Sequence, residues 1–380
     1  MPRLALSILS ALALLLPASA LAQEDDGGAC LTADPPPPGE VQPLRFGITP
    51  RLAGTAGTTQ EQPAPEDLTK NAEALTDLRP RRRALILRLN RLFWSDGTKG
   101  IRQMGRLVRR YRLAGFRSEI QIRYHPPDGH EGDIAGFEEF VKTAVRRLGR
   151  RRAVVGFSIT NEANLPISPN TSDGAYDGVV DALVRGVIVA RRQLRKLGRP
   201  RRAVGFNVMW RWNPDSDRAF WEDIGAHPDI ARFRRSVDYV GVQVYPGLVW
   251  PPAPLPGRTA GDEIAEALTL VRDCYMPKAG LDRTVELWVS ENGYATNLGR
   301  SEDSQERDLE SSVEAVAQWS GALGITDYRW FNLRDNNSAG TDLFSAVGLL
   351  RDDYSRKPAF GAYRRAIRTY GRNGALARLN

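Results

Sequence analysis

From residue 44 onward the chain alternates two textures. Short apolar runs rich in Val, Ile, Leu and Phe are followed by longer stretches whose apolar residues recur at helical spacing. Eight runs read as strands: 45–48, 84–89, 118–124, 154–160, 203–209, 239–244, 285–290 and 327–331. The intervening stretches read as amphipathic helices. Val180, Leu183, Val184, Val187 and Leu194 fall on one helical face, and Gly198 and Pro200 then stop the helix. Strands alternating with helices predict an α/β fold with a parallel sheet, and eight of them predict a single (β/α)8 TIM barrel over residues 44–375. An open doubly wound sheet would carry a Gly-rich phosphate turn, and neither a G-x-G-x-x-G nor a Walker-type loop follows the first strand.

The first 43 residues differ. Met1-Pro2-Arg3, an apolar run from Leu4 to Leu16 and the small residues Ala18-Ser19-Ala20-Leu21-Ala22 have the form of a signal peptide, predicted at 1–22. The run is too short for a bilayer span, which takes about 20 apolar residues. A mature protein that is secreted or periplasmic, with no membrane span, is the expectation. Residues 23–43 form a Pro-rich arm around Pro35-Pro36-Pro37-Pro38. In an oxidising compartment, Cys30 on that arm and Cys274 on the barrel are candidates for a bridge.

Charge and inventory narrow the chemistry. The net charge of +8 invites a nucleic-acid partner, yet the arginines are spread over helix faces and helix ends, so no nucleic-acid role is expected. Three histidines without an H-E-x-x-H pattern or a cysteine cluster predict neither metal nor cofactor. A G-x-S-x-G elbow is also missing.

Two carboxylates stand out against this background. Glu162 closes the fourth run in Ile159-Thr160-Asn161-Glu162, and Glu291 closes the seventh in Val289-Ser290-Glu291-Asn292-Gly293. A parallel barrel presents its reactive side chains at the carboxyl ends of its strands, and cleaving a glycosidic bond takes two carboxyl groups flanking one oxygen. Retention of configuration would place them about 5–5.5 Å apart, and inversion about 6.5–9.5 Å.

On these residues the chain resembles the retaining (β/α)8 glycoside hydrolases of clan A, in which an Asn-Glu pair ends strand four and a glutamate ends strand seven. The resemblance implies an O-glycosidic hydrolase with a carbohydrate substrate, Glu162 as acid/base and Glu291 as nucleophile. It extends to substrate-binding positions. Asn161 would hold the hydroxyl next to the anomeric carbon, and Tyr245, closing strand six, would donate to Glu291. Arg88 on strand two would pair with Glu291, His125 after strand three would bind a sugar hydroxyl, and Trp330 would floor a subsite at the end of strand eight. Trp94, Trp210, Trp212 and Trp250 would add to an oligosaccharide groove. Ala163 stands where Pro often follows the strand-four glutamate, and Gln243 where the commonest cellulase and mannanase family has His two residues before the tyrosine. Family and sugar therefore stay open, as do a transglycosylase using the same glutamates and a non-catalytic carbohydrate-binding barrel.

Overall fold

The computed structural model describes residues 34–51, 63–167, 171–211 and 213–373. Eight strands, β1 (Arg45–Ile48), β2 (Ile86–Phe93), β3 (Arg117–Arg123), β4 (Val154–Ile159), β5 (Ala203–Met209), β6 (Tyr239–Gln243), β7 (Glu286–Asn292) and β8 (Ile325–Trp330), close into one barrel in sequence order. All neighbours run parallel, and β8 returns to β1 through the register Ile48 to Trp330. The principal helices are α1 (Leu68–Leu78), α2 (Gly97–Leu113), α3 (Ile134–Leu148), α4 (Val179–Lys196), α5 (Pro214–Ala226), α6 (Ala260–Leu270), α7 (Glu302–Gln318) and α8 (Pro358–Tyr370), one after each strand. The molecule is thus a single (β/α)8 barrel, as the alternating textures predict.

Helices form where apolar spacing and end signals agree. Asp67, Asp133, Thr259 and Ser301 accept hydrogen bonds from free backbone N–H groups at the starts of α1, α3, α6 and α7. On α4 the stripe Leu183, Val184, Val187 and Leu194 is fully buried against the barrel, each residue contributing about 1.5–3 kcal/mol of transfer free energy. Among the described residues, no helix is long and apolar enough to cross a membrane.

The strand interior departs from the branched aliphatic filling usual in such barrels. Tyr239 and Trp288 stack at 3.5 Å with an interplanar angle of 6°. Arg329 pairs with Asp327 at 2.6 Å and with Glu119 at 3.4 Å, all of them buried. Glycines make room: a Cβ on Gly47 would stand 2.4 Å from the Arg329 side chain, and one on Gly205 would stand 2.6 Å from the Tyr239 ring. Above this layer, toward the carboxyl ends of the strands, lies a second polar layer around Arg88.

The described part of the arm has no regular structure, and it is fastened beneath the barrel. Trp319 Nε1 donates to the Pro36 carbonyl at 2.7 Å, and Gln42 N donates to Ser320 Oγ at 2.7 Å. Leu44 then pairs with Gly371 beyond α8. The leader, Cys30 and Trp212 lie outside the described residues; Cys274 is half-buried in the turn Val271–Tyr275 that follows α6.

Strand limits shift where sequence periodicity is a poor guide. β2 begins two residues later than its apolar run and continues through Asn90 and Arg91 past an irregularity between Leu89 and Leu92. β4 stops at Ile159 because Thr160 has φ of 64°. β8 ends at Trp330, so Phe331 lies beyond it.

Candidate active site

The ends of β4 and β7 carry the two glutamates, and each is 6 % exposed. Their surroundings are opposite in kind. Glu291 is held at both oxygens: Arg88, on β2 and fully buried, makes an ion pair with Oε1, and the Tyr245 hydroxyl donates to Oε2 at 2.5 Å. Burial and the Glu291 charge raise the Tyr245 phenol well above its ordinary value, so it remains a donor. Among the described residues, Glu162 has no cation at hydrogen-bond distance. Burial first, and the Glu291 charge second, push its carboxyl from 4.5 up to about 8.

The backbone that delivers Glu162 is strained. Thr160 and Glu162 have φ of 64° and 48°, a left-handed conformation that costs a side-chain-bearing residue roughly 1–3 kcal/mol. Every N–H of the stretch is bonded, which offsets that cost. Thr160 N donates to the Ile122 carbonyl at 2.8 Å, Asn161 N to Asp173 Oδ2 at 2.8 Å, and Glu162 N to Asn207 Oδ1 at 2.8 Å. Asp173 is fully buried and also accepts from Tyr124 N and from Arg123 Nε, each at 2.7 Å, so one carboxylate ties the end of β3 to the end of β4. Asn164 fixes the chain beyond, donating to the Met209 carbonyl and to Asp217, both at 2.8 Å.

Beneath the glutamates runs a network of amides. Gln121 Oε1 accepts from Arg88 Nη2 at 3.0 Å while its Nε2 donates to Asn161 Oδ1 at 2.7 Å. Gln243 Nε2 donates to Asn161 Oδ1 at 2.7 Å and to Asn207 Oδ1 at 3.0 Å. Asn161 Nδ2 donates to the Thr171 carbonyl at 2.9 Å, leaving its second N–H for a ligand.

Of the residues that sequence singles out, Glu162, Glu291, Arg88, Asn161 and Tyr245 come together here. His125 stands apart from them, its ring between Phe93 and Tyr176 and its Nδ1 2.9 Å from Ser95 Oγ; burial and the Arg123 charge lower its pKa, which favours the neutral imidazole. Trp330 is not brought to the site. It is fully buried and packs outward toward Tyr363 of α8 at 6.4 Å. Side chains alternate along a strand, and with Arg329 turned to the barrel axis its successor must face the helices. The strand-end aromatic that meets Tyr245 is Phe331, edge-on at 6.3 Å, with Phe344 edge-on from the following loop at 5.9 Å. Trp94 likewise packs, stacking on Tyr124 at 5.8 Å and leaning on Phe137. Trp210 is buried and Trp250 half-buried against the same core.

Asp173, Gln121 and Asn207 escape motif reading. The last two have a visible signal: Glu119, Gln121 and Arg123 alternate with Ile120 and Ile122 on β3, and Asn207 interrupts the apolar run of β5, the period of an inward-facing set. Asp173 lies on the connection after β4, where no periodicity marks it.

No family model matches the chain, and no curated protein matches it. Solved structures do share the architecture. A GH5_18 protein from Streptomyces cattleya, solved in complex with GlcNAc, is 14% identical with a TM-score of 0.57, over 87% of this chain and 81% of that one. The family 1 β-glucosidase from Thermotoga maritima is 14% identical with a TM-score of 0.59, over 90% and 100% of the two chains. A family 39 glycoside hydrolase from Bacteroides cellulosilyticus is 14% identical with a TM-score of 0.53, over 86% and 63%. At these identities the likeness is one of fold: the barrel is built like those of clan A glycoside hydrolases of families 5, 1 and 39, with its own family unassigned.

Proposed function

We propose that this protein is an exported retaining glycosidase that hydrolyses O-glycosidic bonds by double displacement. One observation carries the reading: two buried carboxyl groups at the ends of β4 and β7 occupy environments that separate their roles. Glu291, between Arg88 and Tyr245, is aimed and charged for attack on the anomeric carbon. Glu162, pushed up to about 8, holds a proton at neutral pH. In the first step the Glu162 proton passes to the leaving oxygen as a Glu291 oxygen bonds to the anomeric carbon. In the second, water gives a proton to Glu162 and displaces the Glu291 ester. Asn161 would hold the neighbouring hydroxyl with its remaining amide N–H.

The test begins with mature protein on β-glucosides, β-mannosides and their polymers. Structural neighbours include β-glucosidases and a GH5_18 variant in complex with Manb1-4GlcNAc, which sets that order. NMR of the first product should show retained configuration, and a crystal structure should place the carboxyl groups about 5–5.5 Å apart. Glu291→Ala should abolish turnover. Glu162→Gln should spare activated aryl glycosides in the first step, and azide should rescue Glu162→Ala with a product of retained configuration. Wild-type activity in Glu291→Ala would remove the nucleophile assignment. Tight glycan binding without turnover would favour a non-catalytic barrel, and products longer than the substrate a transglycosylase.

A further inference from the structure

The side-chain amide of Gln243 is fully buried beside Glu162, and its neighbours decide which way it points. Asn207 is fixed by backbone: its Oδ1 accepts from Glu162 N at 2.8 Å, and its Nδ2 faces the Thr160 carbonyl at 3.4 Å. Asn161 is fixed in the same way, through the Thr171 carbonyl at 2.9 Å. Both Oδ1 atoms are therefore acceptors, and both meet the same end of Gln243, at 2.7 and 3.0 Å. That end has to be the amino group. Gln243 Oε1 then contacts Glu162 Oε1. Turning the amide would give Glu162 a donor and would set the amide oxygen 3.2 Å from Arg88 Nη2, but it would also oppose oxygen to oxygen at 2.7 Å on Asn161 and 3.0 Å on Asn207.

Two acceptor oxygens in contact need a proton between them. We infer that Gln243 is a positioning residue that holds Glu162 in its protonated form, its amide oxygen accepting the Glu162 carboxyl proton. What this does in turnover rests on the acid/base role proposed above; where the proton lies does not. When Glu162 transfers its proton to the leaving oxygen, the new carboxylate faces an amide oxygen that two asparagines keep from turning. Recovery of a proton from the attacking water, whose oxygen bonds to the anomeric carbon as the Glu291 ester bond breaks, relieves that opposition.

Neutron diffraction from perdeuterated crystals of the unliganded protein, grown below the Glu162 titration, tests the inference directly. The expected map has deuterium on Glu162 Oε1 directed at Gln243 Oε1, and both amide deuterons of Gln243 directed at the asparagines. A bare carboxylate accepting from the Gln243 amide would overturn it. In solution, the 13C carboxyl titration of Glu162 should fall by about one pH unit in Gln243→Ala, a tenfold fall in the ratio of protonated to ionised carboxyl at a given pH, because water can then donate to the carboxylate. An unchanged midpoint in a folded variant would also overturn it, and if the variant does not fold the neutron map decides. Both readouts are independent of substrate, so a protein that cleaves no glycoside would sink the proposed function and leave this inference standing. On a substrate that is cleaved, the alkaline limb of kcat/KM should move by the same unit, whereas a packing role would lower kcat without moving it.

Discussion

Glu162 and Glu291 are the same residue type with the same exposure, and what differs is the side chains within reach. A guanidinium and a phenol hold the charge on Glu291, while Glu162 has burial, a neighbouring carboxylate and the oxygen of an amide. The alkaline loss of activity should therefore follow an ionisation near 8. Stability carries the same signature with a definite sign. The carboxyl titrates near 4.5 in the unfolded chain and at about 8 in the folded one, so the unfolded state releases its proton first. The stabilising contribution is complete below the lower value and is lost as pH rises through the higher. Glu162→Gln lacks this term. Its denaturation midpoint should overtake that of the wild type as pH rises, the gap widening by at most about 1.4 kcal/mol per pH unit and levelling off above the folded titration. A gap that does not vary with pH would contradict the shift.

At the scale of elements, the site depends on how β3, β4 and the connection after β4 are joined. Asp173 is the joint. Asp173→Ala would leave Arg123 buried without its partner and two backbone N–H groups unbonded, at a cost of about 3–5 kcal/mol by chemical denaturation. If the variant is assayed well below its unfolding midpoint, kcat should fall more than KM rises, because Asn161 and Glu162 lose their anchor. The strands themselves are legible in sequence, since apolar runs bounded by helical periodicity leave few alternatives; Glu162 and Glu291 fall at the ends of β4 and β7 as read, although the limits read there run one residue past β4 and stop two residues short of the end of β7. The Arg88 and Tyr245 partners of Glu291 were legible for the same reason. At β8 the reading slips by one residue, and in a structure of period two one residue exchanges axis for exterior; Trp330 faces out and Phe331 takes the place beside Tyr245. The connection holding Asp173 has no period, so only three-dimensional structure could bring it to the site.

At the scale of the whole molecule, the arm is fastened to the end of the barrel opposite the glutamates, at Trp319 and Ser320, close to the segment that carries Cys274. Arg272, two residues from Cys274, donates to the Leu323 carbonyl at 2.8 Å, so this segment and the helix Ser320–Leu323 under the arm are neighbours. With five residues between Cys30 and the anchored Pro36, a bridge to Cys274 is the expected partner of export. Intact mass of secreted protein should lack residues 1–22 and gain two hydrogens on reduction; a gain of none would leave the cysteines unbridged. The pairing of Leu44 with Gly371 has a different consequence, because it brings the beginning and the end of the barrel to one spot. The order in which the eight units are synthesised is then separable from the ring that they form. A flexible link of about five residues, each reaching roughly 3.3–3.6 Å, would join Asn373 to Leu44. New ends at the exposed turn of Gly198, after α4 and away from the strand ends that carry Glu162 and Glu291, should give a circular permutant that folds to the same barrel. Its circular dichroism spectrum and its turnover should match those of the parent without the arm, so that the ring and not the thread is what the sequence encodes.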